Sequence, residues 1–127
     1  MIDYEYGSYN YRGYDIGNHF AECMGFEIKE SQYPTKTQQL NFLRTYFKHF
    51  YARDPSSEEL KEFYREVNIF SLASHLFWGI WAILQARFNN LIDFDYKSYS
   101  VRKIGLVEKN LPFFFENDGE QEFVYLN

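Results

Sequence analysis

The sequence has little or none of several features that mark particular classes of protein. Cys23 is the only cysteine, so a disulfide framework and a cysteine-based zinc site are excluded, and a reducing, cytoplasmic compartment fits. The net charge of −5 offers no basic surface for nucleic acid. His19, His49 and His75 are too scattered to suggest a metal cluster. The acidic, aromatic N-terminus lacks the basic segment that begins a signal peptide.

Long hydrophobic runs are also scarce. The only one is Ile69 to Leu84, which is shorter than a membrane span requires and contains Ser71, Ser74 and His75. We therefore predict a buried helix in a soluble protein, with no membrane span.

Aromatic residues, by contrast, are abundant. They make up 22% of the 127 residues, mostly as Phe and Tyr, which argues for a packed interior or a stacked pocket and against disorder. The length allows one domain or part of one, and neither an internal repeat nor a linker-like segment divides residues 1–127. The sequence leaves the oligomeric state open, a homodimer included.

The first half of the chain predicts one short strand and two helices. Residues 2–6 suggest a strand and residues 7–13 an irregular turn. Asp15 is placed as the N-cap of a helix that runs to about Met24, and a loop follows to Pro34. Thr35 and Gln38 form a capping-box pattern that opens a helix at about residues 37–51.

The second half predicts helices throughout. Residues 53–55 end the preceding helix, and Ser56 with Glu59 forms a second capping box. A helix at about 69–88, continuous with the preceding one or after a small kink, is apolar nearly all round and should lie at the centre of the fold. A further short helix is predicted at 94–103, and no clear period appears from residue 110 onward.

Two acidic residues near the N-terminus suggest metal binding. Asp3 and Glu5 are one residue apart in an extended segment, so their side chains point to the same face and could both bind a hard cation such as Mg²⁺. An exposed strand with solvated acids is the better interpretation of an arbitrary pair of this kind.

Two tryptophans suggest a binding pocket. Trp78 and Trp81 are three residues apart and so share a helix face. Taken alone, such a pair is more often core packing. The alternative is an aromatic cage for an ammonium group, in which Tyr6, Glu22, Tyr96 and Tyr99 are further candidates.

The segment DYEYGSYNYRGYDIGNHFAE, from Asp3 to Glu22, closely resembles the signature of the choline/ethanolamine kinase family. The family pattern is D-x-E-Y-x-x-Y-N-x-R-x-x-D-x-x-N-H-F-x-E, and this chain matches it at each specified position. A second segment, ASHLFWGIWAILQAR, is similar to the family pattern S-H-x-x-W-G-x-W-x-x-x-Q-A. The resemblance covers the chain from Ile2 to about Val101.

The resemblance implies a fold, a reaction and a site. The fold would be mainly α, the helical C-terminal lobe of a protein-kinase-like (aminoglycoside-phosphotransferase-like) fold with a short β segment at its start. The reaction would be transfer of the γ-phosphoryl group of ATP to the hydroxyl of ethanolamine or choline, the first step in activating a phospholipid head group.

Asp3 would be the catalytic, metal-binding aspartate and Glu5 would support a second Mg²⁺ or its waters. Asp15 would brace the catalytic-base loop, in addition to or instead of capping its helix. The amine pocket would be formed by Tyr6, Asn18, Glu22, Trp78, Trp81 and Tyr99, with Glu22 pairing with the ammonium group.

The residues after Glu22 differ from the choline kinase pattern. They read CMGFE instead of a W-x-Y-D-Y run, and Phe26 is a candidate wall of the pocket. A primary ammonium needs hydrogen-bond acceptors, whereas a trimethylammonium needs aromatic walls. The loss of tyrosines beside Glu22 therefore favours ethanolamine modestly.

The sequence contains no glycine-rich phosphate loop and no H-x-D-x-x-x-x-N catalytic loop, which in the family precedes the position of Asp3. We therefore expect the chain to represent only the C-terminal part of the family's domain and to bind ATP poorly alone. The alternative is a non-catalytic helical module that acts only in packing or protein interaction.

Overall fold

The computed structural model describes residues 6–88 and 92–116, and these residues are predominantly helical. Four α-helices follow one another: α1 (Arg12–Glu22), α2 (Lys36–Tyr51), α3 (Ser57–Phe88) and α4 (Tyr96–Glu116). A short 3₁₀ turn, Glu30–Gln32, lies between α1 and α2. The described ranges contain no strand, and the strand predicted at residues 2–6 lies outside them except for Tyr6. The mainly α lobe predicted from the sequence is confirmed.

Helix α3 is the element against which the other helices pack. It is one continuous helix of 32 residues, about 48 Å long, and it contacts α1, α2 and α4. Its inward face is fully buried, with Phe63, Val67 and Leu72 in the core. Its central position is therefore as predicted.

The opposite face of α3 remains open among the described residues. Its apolar side chains there are roughly half exposed: Ile69, Leu76, Ile80, Ile83 and Leu84. By length and composition α3 is also apolar enough to cross a membrane, a test that the core helix of a soluble protein can pass as well.

The capping residues of α2 and α3 were predicted correctly. Thr35 Oγ1 accepts a hydrogen bond from the Gln38 backbone N–H, and the Gln38 side chain accepts one from the Thr35 N–H. Ser56 and Glu59 exchange the same two bonds at the start of α3. Ala52, in a left-handed conformation, ends α2 before the predicted break.

The predicted start of α1 was wrong. The helix begins at Arg12, with Tyr11 as an extended N-cap, and Asp15 lies within the first turn and is exposed. Tertiary contacts set this earlier start. Arg12 pairs with Glu66 of α3 at 3.0 Å, and Gly13 lies so close to α3 that an added Cβ would come within 2.5 Å of the Phe70 ring.

The predicted end of the last helix was also wrong. Helix α4 continues well beyond Lys103, because Leu106 and Asn110 are almost completely buried in later turns. Its start is capped by Asp95, whose carboxylate accepts hydrogen bonds from the Ser98 N–H and hydroxyl.

Candidate functional site

Three aromatic residues predicted for the pocket are in contact. Trp78 and Trp81 of α3 meet edge to face, with ring centroids 5.5 Å apart. The ring of Tyr6 packs edge-on against Trp78 at 5.6 Å, and its hydroxyl accepts a hydrogen bond of 2.9 Å from the Trp81 Nε1–H. The segment before α1 is thus joined to the C-terminal half of α3 by residues of both signature segments.

Asn18 orients one of these tryptophans. Its Oδ1 accepts two hydrogen bonds of 2.7 Å, one from the Trp78 Nε1–H and one from the hydroxyl of Ser74. Both lone pairs of that oxygen are therefore used within the protein. In this arrangement the side chain of Asn18 fixes the indole ring of Trp78.

The carboxylate of Glu22 lies beside a lysine that the sequence analysis did not single out. Lys103 Nζ of α4 donates to Glu22 Oε1 at 3.2 Å, and lies 5.3 Å from the centre of the Tyr99 ring. The Lys103 side chain is 1% exposed, whereas that of Glu22 is 43% exposed. Glu22 therefore connects a buried ammonium group to solvent.

Further aromatic rings connect this ion pair to the tryptophans. Trp81 contacts Tyr96 at 5.7 Å, and Phe94 contacts both Tyr96 and Tyr99, at 4.9 and 5.5 Å. Phe26, the candidate wall, packs on Phe94 and Tyr99 but is largely exposed. We call the connected rings the aromatic series, defined as Tyr6, Trp78, Trp81, Tyr96, Phe94 and Tyr99.

The electrostatics reflect the low polarity of this region. Burial raises the pKa of the Tyr99 phenol, and the negative charge of Glu22 raises it further. Burial also lowers the pKa of His75 to about 3, helped by the positive charge of Lys103. The imidazole of His75 is fully buried in α3 and is therefore neutral at pH 7.

Not every predicted site residue can be placed. Asp3 and Glu5, the predicted metal ligands, lie outside the described residues. Within the described ranges, no three His, Cys, Asp or Glu side chains lie close enough to hold a metal ion. A separate cleft of about 530 Å³ opens between α3 and α4, lined by residues such as Ile83, Lys97 and Ile104, and contains none of the aromatic series.

Two residues of the site were missed from the sequence, although the helical spacing held a signal for each. Lys103 is four residues after Tyr99, and Ser74 is four residues before Trp78, so each shares a helix face with a predicted pocket residue. What spacing could not show was the partner of each on α1, since Glu22 and Asn18 are far away in sequence.

Comparison with known proteins agrees with this helical, kinase-like lobe. The family profile described as choline/ethanolamine kinase matches residues 1–107. A probable ethanolamine kinase A from Dictyostelium discoideum is 51% identical over 99 residues, covering 78% of this chain and 28% of the relative. A probable ethanolamine kinase from Arabidopsis thaliana is 43% identical over 115 residues, covering 91% and 30%.

The solved structure of an ethanolamine kinase from Plasmodium vivax superimposes with a TM-score of 0.73 at 31% identity, covering 91% of this chain and 29% of that one. The chain belongs to the choline/ethanolamine kinase family and leans towards the ethanolamine kinases, several of which are 40–51% identical to it. It spans less than a third of the length of these relatives.

Proposed function

We propose that this chain supplies the amino-alcohol-binding lobe of an enzyme that phosphorylates ethanolamine, with choline as the second candidate. In this reaction the substrate hydroxyl gives up its proton to a base, and its oxygen bonds to the γ-phosphorus of ATP. The bond from that phosphorus to the bridging oxygen breaks, and ADP leaves. Positioning of the substrate and neutralisation of phosphate charge are the main demands of such a transfer.

The observation that carries the proposal is the convergence of the aromatic series and Glu22 from α1, α3, α4 and the segments just before α1 and α4. Ring faces and one carboxylate are the groups that recognise an ammonium ion. The indole N–H groups of Trp78 and Trp81 are already bonded to Asn18 and Tyr6, so the rings are held in place before a ligand arrives. Preorganisation of this kind reduces the entropy lost on binding.

We assign ethanolamine first for two reasons. The proposed charge partner, Glu22, accepts hydrogen bonds, which a primary ammonium can donate and a trimethylammonium cannot. The relatives described above also carry ethanolamine kinase in their names.

Asp3 and Glu5 would hold Mg²⁺, which would offset the negative charge of the phosphate groups. This assignment rests on the sequence motif. Replacing Asp3 by Ala in the whole enzyme that contains this lobe should abolish phosphotransfer while leaving the thermal unfolding midpoint unchanged. Retained turnover would refute the assignment.

Amine binding by the chain tests the proposal directly. Trp78 and Trp81 are the only tryptophans, so fluorescence excited selectively at tryptophan reports on the site. Titration should give saturable binding with ethanolamine tighter than choline, whereas a folded chain that binds neither amine would overturn the proposal. In a parallel assay with ATP and Mg²⁺ we expect little turnover, because the sequence has no glycine-rich phosphate loop.

A purely structural helical module is the second candidate. It is favoured by the exposed apolar face of α3 formed by Ile69, Leu76, Ile80, Ile83 and Leu84, since contiguous apolar surface tends to associate. Failure to bind either amine, combined with concentration-dependent self-association, would favour this reading.

A further inference from the structure

Lys103 is a buried cation whose presence in the candidate site requires an explanation. Its whole side chain is enclosed, and its Nζ lies 3.2 Å from Oε1 of the partly exposed Glu22. Burying an ammonium group is costly unless it is paired, because water no longer solvates the charge. Desolvation accordingly lowers the pKa of Lys103, although the adjacent Glu22 acts in the opposite direction.

The backbone is shaped to let this lysine approach the tryptophans. Gly79 lies directly after Trp78, and a Cβ placed there would be 3.5 Å from the Cβ of Lys103 and 2.9 Å from Ile104 Cγ1. Helices α3 and α4 therefore meet at a glycine, which brings Lys103 against the segment of α3 that carries the aromatic pair.

Glu22 has a specific need for a cationic partner. It is the last residue of α1, where the carbonyl ends of the helix carry a partial negative charge that disfavours a carboxylate. Its side chain is also partly exposed, so an unpaired carboxylate could rotate into water. Among the described residues, Oε1 accepts from Lys103 and Oε2 accepts no hydrogen bond.

We propose that Lys103 is a positioning residue that holds one carboxylate oxygen of Glu22 and thereby presents the other to the ammonium group of the substrate. The inference rests on the proposed function, because it assigns Glu22 to the amine. It differs from a structural ion pair, which would change stability and leave amine affinity alone. It also differs from competition, in which Lys103 would occupy Glu22 at the expense of the substrate.

The test is a double-mutant cycle on the 127-residue chain, read by the tryptophan fluorescence titration with ethanolamine. The variants are Lys103→Met, Lys103→Arg, Glu22→Gln and the Glu22→Gln/Lys103→Met pair. Methionine fills the buried volume without a charge, and Lys103→Gln serves as a second neutral variant should the methionine variant fail to fold. Lys109→Met is the matched control, because Lys109 lies on the same helix and pairs with the distant Glu30 at 2.7 Å.

We expect Lys103→Met to weaken ethanolamine binding about tenfold, in line with the value of a hydrogen bond to a charged group. Lys103→Arg should retain most of the wild-type affinity, and Lys109→Met should leave the affinity unchanged. In the Glu22→Gln background, removal of Lys103 should have no further effect, because the lysine acts through the carboxylate.

Affinity within about twofold of wild type in Lys103→Met, tighter binding, or an equal loss in both backgrounds would each overturn the role of Lys103. These outcomes leave the proposed function standing if the wild-type chain binds ethanolamine and Glu22→Gln binds it measurably more weakly. Absence of binding in the folded wild-type chain would remove the proposed function and this inference together.

Discussion

Replacement of Gly17 by alanine should separate α1 from α3. An added Cβ at Gly17 would lie 2.7 Å from the Ser71 nitrogen, 2.7 Å from the Val67 carbonyl oxygen and 3.0 Å from the Phe70 carbonyl carbon. All three atoms belong to the backbone of α3, so a side-chain rotation cannot relieve the contact. Either α1 moves away from α3 or both helices distort.

The magnitude follows from two opposing effects. Overpacking of a well-packed contact costs about 1–3 kcal/mol and occasionally more, and a clash with backbone belongs at the upper end. Alanine in a helix gains about 1 kcal/mol over glycine. We therefore expect Gly17→Ala to lower the free energy of unfolding by about 2 kcal/mol, which in a chain of this size lowers the Tm by roughly 6–10 °C.

Gly105→Ala is the matched control. Gly105 is also a helical glycine, but a Cβ added there meets no atom within 4 Å, so only the propensity gain remains. This variant should be more stable by about 0.5–1 kcal/mol. The measurement is urea unfolding followed by far-UV circular dichroism. An unchanged or raised urea midpoint in Gly17→Ala would show that the close approach of α1 to α3 is not a feature of the folded chain.

Three further predictions concern single side chains. Asn18→Ala should cost about 1–3 kcal/mol in urea unfolding and shift the tryptophan emission, since the Ser74 hydroxyl and Trp78 N–H lose their acceptor; an unchanged emission spectrum would contradict the assigned bonds. Ser56→Ala should cost about 1 kcal/mol by removing the cap of α3, and a loss below a few tenths would show that the capping box is dispensable. The His75 imidazole has a pKa of about 3 in the folded chain and ordinarily about 6.5, so between these pH values it takes up its proton only on unfolding. As the pH falls through that window, His75 should therefore lower the free energy of unfolding by about 1.4 kcal/mol per pH unit. His75→Gln should remove this part of the pH dependence, and an identical slope in that variant would refute the prediction.

The parts of the fold that were predicted correctly depend on local chemistry. The capping boxes at Thr35 and Ser56 were located because each consists of two residues three apart, whose bonds form within a single turn. The nearly all-apolar segment at residues 69–88 likewise placed this helix at the centre, where Leu72 and Ala82 are buried. Local signals of this kind do not depend on what lies across the interface.

The parts that were missed depend on contacts between distant residues. The start of α1 is set by Arg12 and Glu66, which are 54 residues apart, so a capping rule applied to Asp15 selected the wrong residue. Helix α4 continues past the predicted end because Leu106 is buried in the core, which the weak periodicity of that segment did not indicate. In both cases tertiary packing outweighed the local preference.

The same division applies to the candidate site, and it explains why the site and the core cannot be perturbed independently. Motif resemblance identified the tryptophans and Glu22, but the groups that hold them are Asn18, Ser74 and Lys103, which reach the site only because the helices meet at Gly17 and Gly79. A change in helix packing at either glycine would move these supporting bonds, and amine affinity would fall although no ligand-facing residue had changed. Loss of binding in any variant of this chain therefore identifies a ligand-contacting residue only when the unfolding midpoint is unchanged. For Lys103, the loss of affinity caused by Lys103→Met is compared between the wild-type chain and the Glu22→Gln variant. That comparison separates a role through Glu22 from a general effect on helix packing.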